Sequence, residues 1–240
     1  TAQAEVNDGL VYLNNVRDWT YGKGVILSDG WIDETEAIDP ASITRAWFVF
    51  EPFASLPAAG HTYLTFELSD GRAYSFSVEA RKEADESYSA WMGLFREYEL
   101  AYTWGTERDF LSRRLLYLEH PVHMYPLNID REAAEALFMG LVRETNELAT
   151  SPRFYNTLTA NCTNLLAEMA NETAIPEYKV PYDIAWNLPG YSEKFLARIG
   201  FIPEGDFDLT SYKEEIARLS ALGADEFSRE LRALPPFEQD

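Results

Sequence analysis

The sequence predicts an α+β fold, and three observations carry that expectation. An alternating hairpin lies in the first third, a long amphipathic helix near the middle, and a second helix starts beside the single cysteine. With 240 residues, 46% of them hydrophobic and 14% aromatic, the chain has material for one core and does not read as disordered.

Leu10–Asn15 and Ile43–Glu51 are rich in β-branched and aromatic residues and are bounded by Gly, Asp and Pro, so both read as strands. The stretch between them, with Gly22, Gly24, Gly30 and Asp39-Pro40, reads as irregular. The clearest hairpin follows. Leu64, Phe66 and Leu68 alternate with Tyr63, Thr65 and Glu67; after Ser69-Asp70-Gly71, Tyr74, Phe76 and Val78 alternate with Ser75, Ser77 and Glu79. A three-residue loop with Gly71 in the left-handed position closes on Leu68 and Arg72. It sets Phe66 against Tyr74 and Leu64 against Phe76, whereas a two-residue loop would oppose Phe66 and Ser75. The first register keeps apolar against apolar, and it puts His61 across from Glu79.

Ser87 to Leu100 reads as a helix or compact turn, Leu111–Leu118 as a helix and Val122–Leu127 as a strand. Asp130 caps a helix over Arg131–Thr150, with Ala133, Leu137, Leu141 and Leu148 at helical spacing and Ser151-Pro152 as its stop. A second helix runs from Asn161 to Asn171. Short helices at Ser192–Ile199, Ser211–Ala221 and Asp225–Ala233 finish the chain. Residues 1–205 are expected to form a catalytic domain and 206–240 an acidic helical C-terminal extension.

Twenty basic and 40 acidic residues leave a net charge of −20, which argues against nucleic acid as a partner. No run approaches the length of a bilayer span, and Thr1–Asp8 lack the basic-then-apolar pattern of a signal peptide. One cysteine excludes an internal disulfide and a cysteine-based zinc site. No metal or cofactor is implied, and Gly22-Lys23-Gly24 lacks the spacing of a phosphate loop.

Cys162 follows an Asn- and Thr-rich run and opens an apolar-periodic segment, the signature of a helix start. Unsatisfied amides and the positive end of the helix dipole favour thiolate there, and the same amides could receive the oxygen of a tetrahedral intermediate. A buried structural cysteine is the competing reading. Of three histidines, His120 and His123 flank Pro121 and point to opposite faces of an extended segment, which suits loop residues better than a shared metal. His61 opens a strand with a carboxylate placed opposite, so it is the candidate base and Glu79 the group that orients it.

Gly60-His61-Thr62-Tyr63-Leu64-Thr65-Phe66, Ser77-Val78-Glu79-Ala80-Arg81-Lys82-Glu83 and Tyr155-Asn156-Thr157-Leu158-Thr159 leading to Asn161-Cys162-Thr163 together resemble a known family. So do Asn15-Val16-Arg17-Asp18, Tyr98-Glu99-Leu100 with Glu107-Arg108-Asp109, and Leu188-Pro189-Gly190-Tyr191-Ser192. The family is the one known as domain of unknown function 4105, the periplasmic domain of the bacterial lipoprotein N-acyltransferase Lnb. The resemblance runs from residue 10 to 205 and implies a circularly permuted papain-like fold of the NlpC/P60 type, in which histidine precedes cysteine. It implies Cys162 as nucleophile, His61 as base and Glu79 as orienting group, with Asn161, Tyr155, Arg81 and Arg108 as substrate-binding or oxyanion residues. For the two arginines, pairing with carboxylates is favoured over binding an anionic headgroup in so acidic a chain. It also implies a periplasmic location, a lipid or lipoprotein acyl substrate, and membrane proximity through segments outside this sequence.

Three functions compete. The first is acyl transfer through a thioester on Cys162, beside an apolar groove to which Trp91, Trp104 and Trp186 could contribute. The second is an envelope amidase or peptidase, which opens the same acyl-enzyme with water. The third is a non-catalytic envelope binding module.

Overall fold

The hairpin read from the alternation lies near the middle of an eight-stranded mixed sheet in the computed structural model of the chain, which describes residues 2–53, 56–81, 98–156 and 160–237. The strands are β1 (Gln3–Asn7), β2 (Leu10–Arg17), β3 (Thr20–Gly22), β4 (Val25–Ser28), β5 (Trp31–Glu34), β6 (Ile43–Pro52), β7 (Gly60–Leu68), β8 (Ala73–Arg81), β9 (Glu99–Thr106) and β10 (His123–Pro126). The helices are α1 (Glu107–Ser112), which continues into a π-helical turn over Arg113–Tyr117, then α2 (Arg131–Thr150), α3 (Cys162–Thr173), α4 (Ser192–Arg198), α5 (Lys213–Leu219) and α6 (Ala224–Leu231). The sheet order is β1-β2-β9-β8-β7-β6-β10, with β5 also on β2 and β3-β4 forming a small sheet apart. Every pairing is antiparallel except β2 with β9, where Arg17 lies beside Gly105.

The hairpin adopts the expected register. Phe66 pairs with Tyr74 and Leu64 with Phe76, and Gly71 has φ +91° in the turn that closes Leu68 on Arg72. A side chain other than glycine's is strained at that φ, which is why the three-residue loop takes Gly there. Asp130 caps α2 through a bond from the Ala133 amide at 2.8 Å.

Three stretches differ from the sequence reading. The irregular region before Ile43 contains β3, β4 and β5. Ser87–Leu100 falls mostly outside the described residues, and its last two residues begin β9, a strand at the heart of the sheet. Leu100, Tyr102 and Trp104 alternate along β9 and are all buried, so its aromatic residues pack on a pleated face. The helix read from Leu111 starts earlier, because the Thr106 hydroxyl accepts the Asp109 amide at 3.2 Å and caps α1.

Helices cover both faces of the sheet. On the upper face, Leu64, Phe66, Phe76 and Trp104 pack against Phe138 and Leu141 of α2 and Leu165 and Leu166 of α3; the Trp104 indole donates to Thr145 at 3.0 Å. On the lower face, Trp47, Val49 and Tyr63 meet Phe110, Leu115, Ile216, Phe227 and Leu231. Residues 206–237, read from the sequence as an acidic extension, thus lay apolar side chains against the sheet. Arg232 ties them down, bonding Glu67 at 3.0 Å and the fully buried Glu107 at 2.7 Å while stacking over Trp47 at 4.5 Å.

Phe227 is wholly buried between α6 and the sheet. Phe227→Ala is therefore expected to cost about 3–5 kcal/mol, read as a lower urea midpoint in a single whole-chain transition. A loss below about 0.5 kcal/mol, the range of surface changes, would detach the C-terminal helices from the core.

Candidate active site

The site forms at the end of the sheet where β7 begins. On the lower face, cross-strand order places Glu51 of β6 beside His61 of β7. The β7–β8 register, paired from Tyr63–Ser77 to Glu67–Ala73, extends to His61 and Glu79. Their side chains meet: His61 Nε2 lies 3.5 Å from Glu79 Oε1. Ser77 stands between them, accepting from His61 Nε2 at 2.7 Å and donating to Glu79 at 2.8 Å. Tyr63 stacks beneath the imidazole at 6.2 Å between ring centroids.

Cys162 reaches this row from the other side. It is the first residue of α3, 4% exposed, with Asn161 as cap. Its thiol is coupled electrostatically to the His61 ring and to the amide and hydroxyl of Thr62. Thr163 Oγ1 lies 3.9 Å from the sulfur and 2.9 Å from Thr62 Oγ1.

The electrostatics follow from these contacts. Burial pushes the Cys162 thiol up, but the His61 charge, its hydrogen bond and the two Thr62 donors outweigh burial and leave the thiol below its ordinary value. Burial opposes charge on His61; the Glu79 carboxylate and then the Cys162 thiolate override it and hold the ring up to about 10. Burial likewise opposes charge on Glu79, and His61, Arg114 and Ser77 hold it well below the usual carboxylate range. Both shifts run in the same sense, toward charge on the sulfur and on the ring.

A buried counter-charge underlies the row. Arg114, 1% exposed on the π-helical turn, contacts Glu51 at 2.9 Å and Glu79 at 3.8 Å and packs over Tyr63 at 4.3 Å. Glu51 also bonds His120 Nδ1. The His123 ring pairs with Glu193 at 2.9 Å instead, so the two histidines flanking Pro121 take different carboxylates.

The remaining candidates divide. The Asn161 side chain accepts from Thr163 N at 2.9 Å and Asn164 N at 3.0 Å, and Asn164 returns a bond to Asn161 N at 2.7 Å. That capping box consumes two amides expected to face an oxyanion, and the Cys162 amide is not among the groups it uses. Tyr155 is buried, its amide donating to Tyr98 O at 2.9 Å. Arg81 is exposed and reaches Glu99 at 3.6 Å. Arg108 bonds Asp18 at 2.8 Å and the carbonyl of Leu222. Both arginines pair with carboxylates, the alternative favoured from the acidic composition.

An apolar chamber opens beside the thiol on the upper face. Thr62 and Thr163 line its near end, Leu64, Leu166 and Ala170 its walls, and the space, solvent mouth included, is about 820 Å³. Trp186 lines it as well. Trp104 is a core residue instead, and Trp91 lies outside the described residues. Gly190 packs closely on the loop before β7: its amide bonds Ala58 O at 3.1 Å, and a Cβ there would sit 2.0 Å from Pro57 O.

Residues 32–188 match the family described as the Lnb N-terminal periplasmic domain. The chain belongs to that family. The match spans His61, Ser77, Glu79 and Cys162, and membership places the chain in the periplasm, in the envelope context of lipoprotein modification. No curated protein and no solved structure matches the chain. Among the described residues, no helix of this Lnb-family domain is long and apolar enough to cross a membrane.

The pair sets the pH dependence of Cys162 alkylation by iodoacetamide. Reactivity is expected to rise as pH climbs through the depressed thiol value, then hold until His61 loses its proton near pH 10. His61→Ala removes the strongest lowering influence, so the midpoint moves upward. Ser77→Ala moves it upward by less. A midpoint indifferent to His61 would return Cys162 to a structural role.

Proposed function

We propose that this domain is a cysteine acyltransferase that carries an acyl group from a lipid or lipoprotein ester as a thioester on Cys162. The observation that carries this reading is that Cys162, coupled to His61, opens a helix beside an apolar chamber lined at that point by Thr62 and Thr163. A peptidase needs polar partners for a peptide backbone; the chamber walls are largely aliphatic and aromatic, which suits an acyl chain.

In the proposed sequence, the Cys162 sulfur attacks the ester carbonyl carbon and the carbonyl oxygen becomes an oxyanion, for which the Cys162 amide is the nearest donor outside the cap. The ester C–O bond then breaks, and His61 gives its proton to the leaving alkoxide. Nε2 is committed to Ser77 and Glu79, so Nδ1 is the nitrogen that exchanges protons at the sulfur side. A neutral amine attacks the thioester, passes a proton to His61 and releases thiolate, restoring the ion pair.

The test uses a synthetic diacylglyceryl lipopeptide in detergent micelles. Intact mass is expected to show one acyl chain added to the protein, labile to hydroxylamine, and one lost from the lipopeptide. Cys162→Ser should abolish it, and His61→Ala should slow it by about 10²-fold or more, the usual worth of a positioned proton-transfer group. Cleavage of peptidoglycan fragments with no acyl-protein would favour the amidase instead.

A further inference from the structure

We infer that the chamber beside Cys162 is a length gauge for a single acyl chain, with Ala170 and Ala174 as graded specificity-determining positions. This rests on the thioester reading and adds to it which chains the site takes and which residues decide.

The chamber follows α3. Thr163, Ala167, Ala170 and Ala174 all line it, and they occur at the spacing of one helix face. Thr163 stands beside the sulfur, and Ala174 closes the far end of the helix. The far end is bounded as well. Tyr178 and Ala133 line the chamber, and the Tyr178 hydroxyl anchors to Asp130, the cap of α2, at 3.1 Å. Val180 is held by Asn171 through two bonds, of 2.7 and 2.9 Å. One end is reactive and the other is walled by residues tied to α2 and α3.

Helix rise turns sequence position into depth. From Thr163 to Ala174 at about 1.5 Å per residue is ~16 Å, and to Ala170 it is ~10 Å. An extended chain advances about 1.2 Å per bond, since three backbone bonds span roughly 3.6 Å. The full depth therefore takes about 13 bonds and the depth to Ala170 about 8. Three alanines on this face leave the depth open, and each is a place where one larger side chain would cut it at a known level.

The experiment measures Cys162 acylation by intact mass after acid quench, using butanoyl, octanoyl, dodecanoyl and hexadecanoyl p-nitrophenyl esters. In the native chain, dodecanoyl transfer should be fastest. Within each variant the readout is the ratio of long-chain to butanoyl acylation. Ala170→Phe is expected to lower the dodecanoyl ratio at least tenfold while octanoyl is the longest chain still taken. Ala174→Phe should lower the hexadecanoyl ratio with less effect on dodecanoyl. Glu168→Phe, on the exposed side of α3, should leave every ratio unchanged. Ala170→Met supplies the same obstruction with a flexible side chain should the phenylalanine disturb packing, and iodoacetamide reactivity of Cys162 reports an intact site in each. Native acylation at all lengths with ratios unmoved at both alanines overturns the gauge and leaves the thioester chemistry standing. No acyl-protein with any ester, in a chain whose Cys162 still alkylates, overturns the thioester reading and the gauge with it.

Discussion

Arg114 bears a full positive charge beneath the sheet with almost no exposure, and that charge lets Glu51, His61 and Glu79 occupy neighbouring strands. Two carboxylates flanking one imidazole on a buried row would raise one another's proton affinity and leave the ring's charge ill-defined. The guanidinium reaches both carboxylates, so each stays ionised and Glu79 can hold His61 as an imidazolium. Its own burial is relieved by the same pairs and by the Tyr63 and Phe110 rings stacked on it. Removing one member of such a buried set typically costs about 3–5 kcal/mol, because the partner is stranded. The row is therefore structural and electrostatic at once: α1 is locked to the sheet by the charge that also acts on Glu79 beside His61.

Ser77 works within that frame. A carboxylate bonded straight to the imidazole would fix the ring by one contact; here a hydroxyl takes the Nε2 proton side and passes the bond to Glu79, while Glu79 still lies at 3.5 Å. Ring orientation is set by a short bond to a hydroxyl and ring charge by a nearby anion. Ring tautomer and protonation state thus fall to different groups.

The hairpin register was readable from alternation alone, and with it the pairing of His61 and Glu79. Local signals also sufficed for the Asp130 cap, for α2 and for the helix that starts at Cys162. Ser77 was available to the same logic, since it shares the face of Glu79 two residues away, but a serine on a polar strand face looks like any other. Arg114, Glu51 and His120 carried no local signal: their meeting depends on how α1 packs under β6, β7 and β8, which is tertiary information. β9 was missed because the stretch before it reads as helix or turn, although Leu100, Tyr102 and Trp104 alternate as a buried strand should. The capping box shows the opposite case. The Asn–Cys–Thr–Asn run marks a helix start and an electropositive site, yet only the fold reveals that the first-turn amides satisfy asparagines.

The thiol sits where the two faces of one strand can serve it together. Side chains on a strand alternate between faces, so consecutive residues at the head of β7 point to different chemistry. His61 faces downward into the charged row over Arg114, and Thr62 faces upward to the neck of the apolar chamber. Cys162 is coupled to His61, and its neighbour Thr163 bonds Thr62. Charge stabilisation and chain binding place opposite demands on a surface, because an apolar pocket around an ion pair would discharge it and a polar pocket would reject an acyl chain. In the proposed reaction, dividing them across the thickness of the sheet satisfies both, and it requires Cys162 to enter at the strand's end rather than over either face. A helix that begins with the cysteine meets that requirement: its first turn abuts the strand end, and its remaining length runs on as the wall of the chamber.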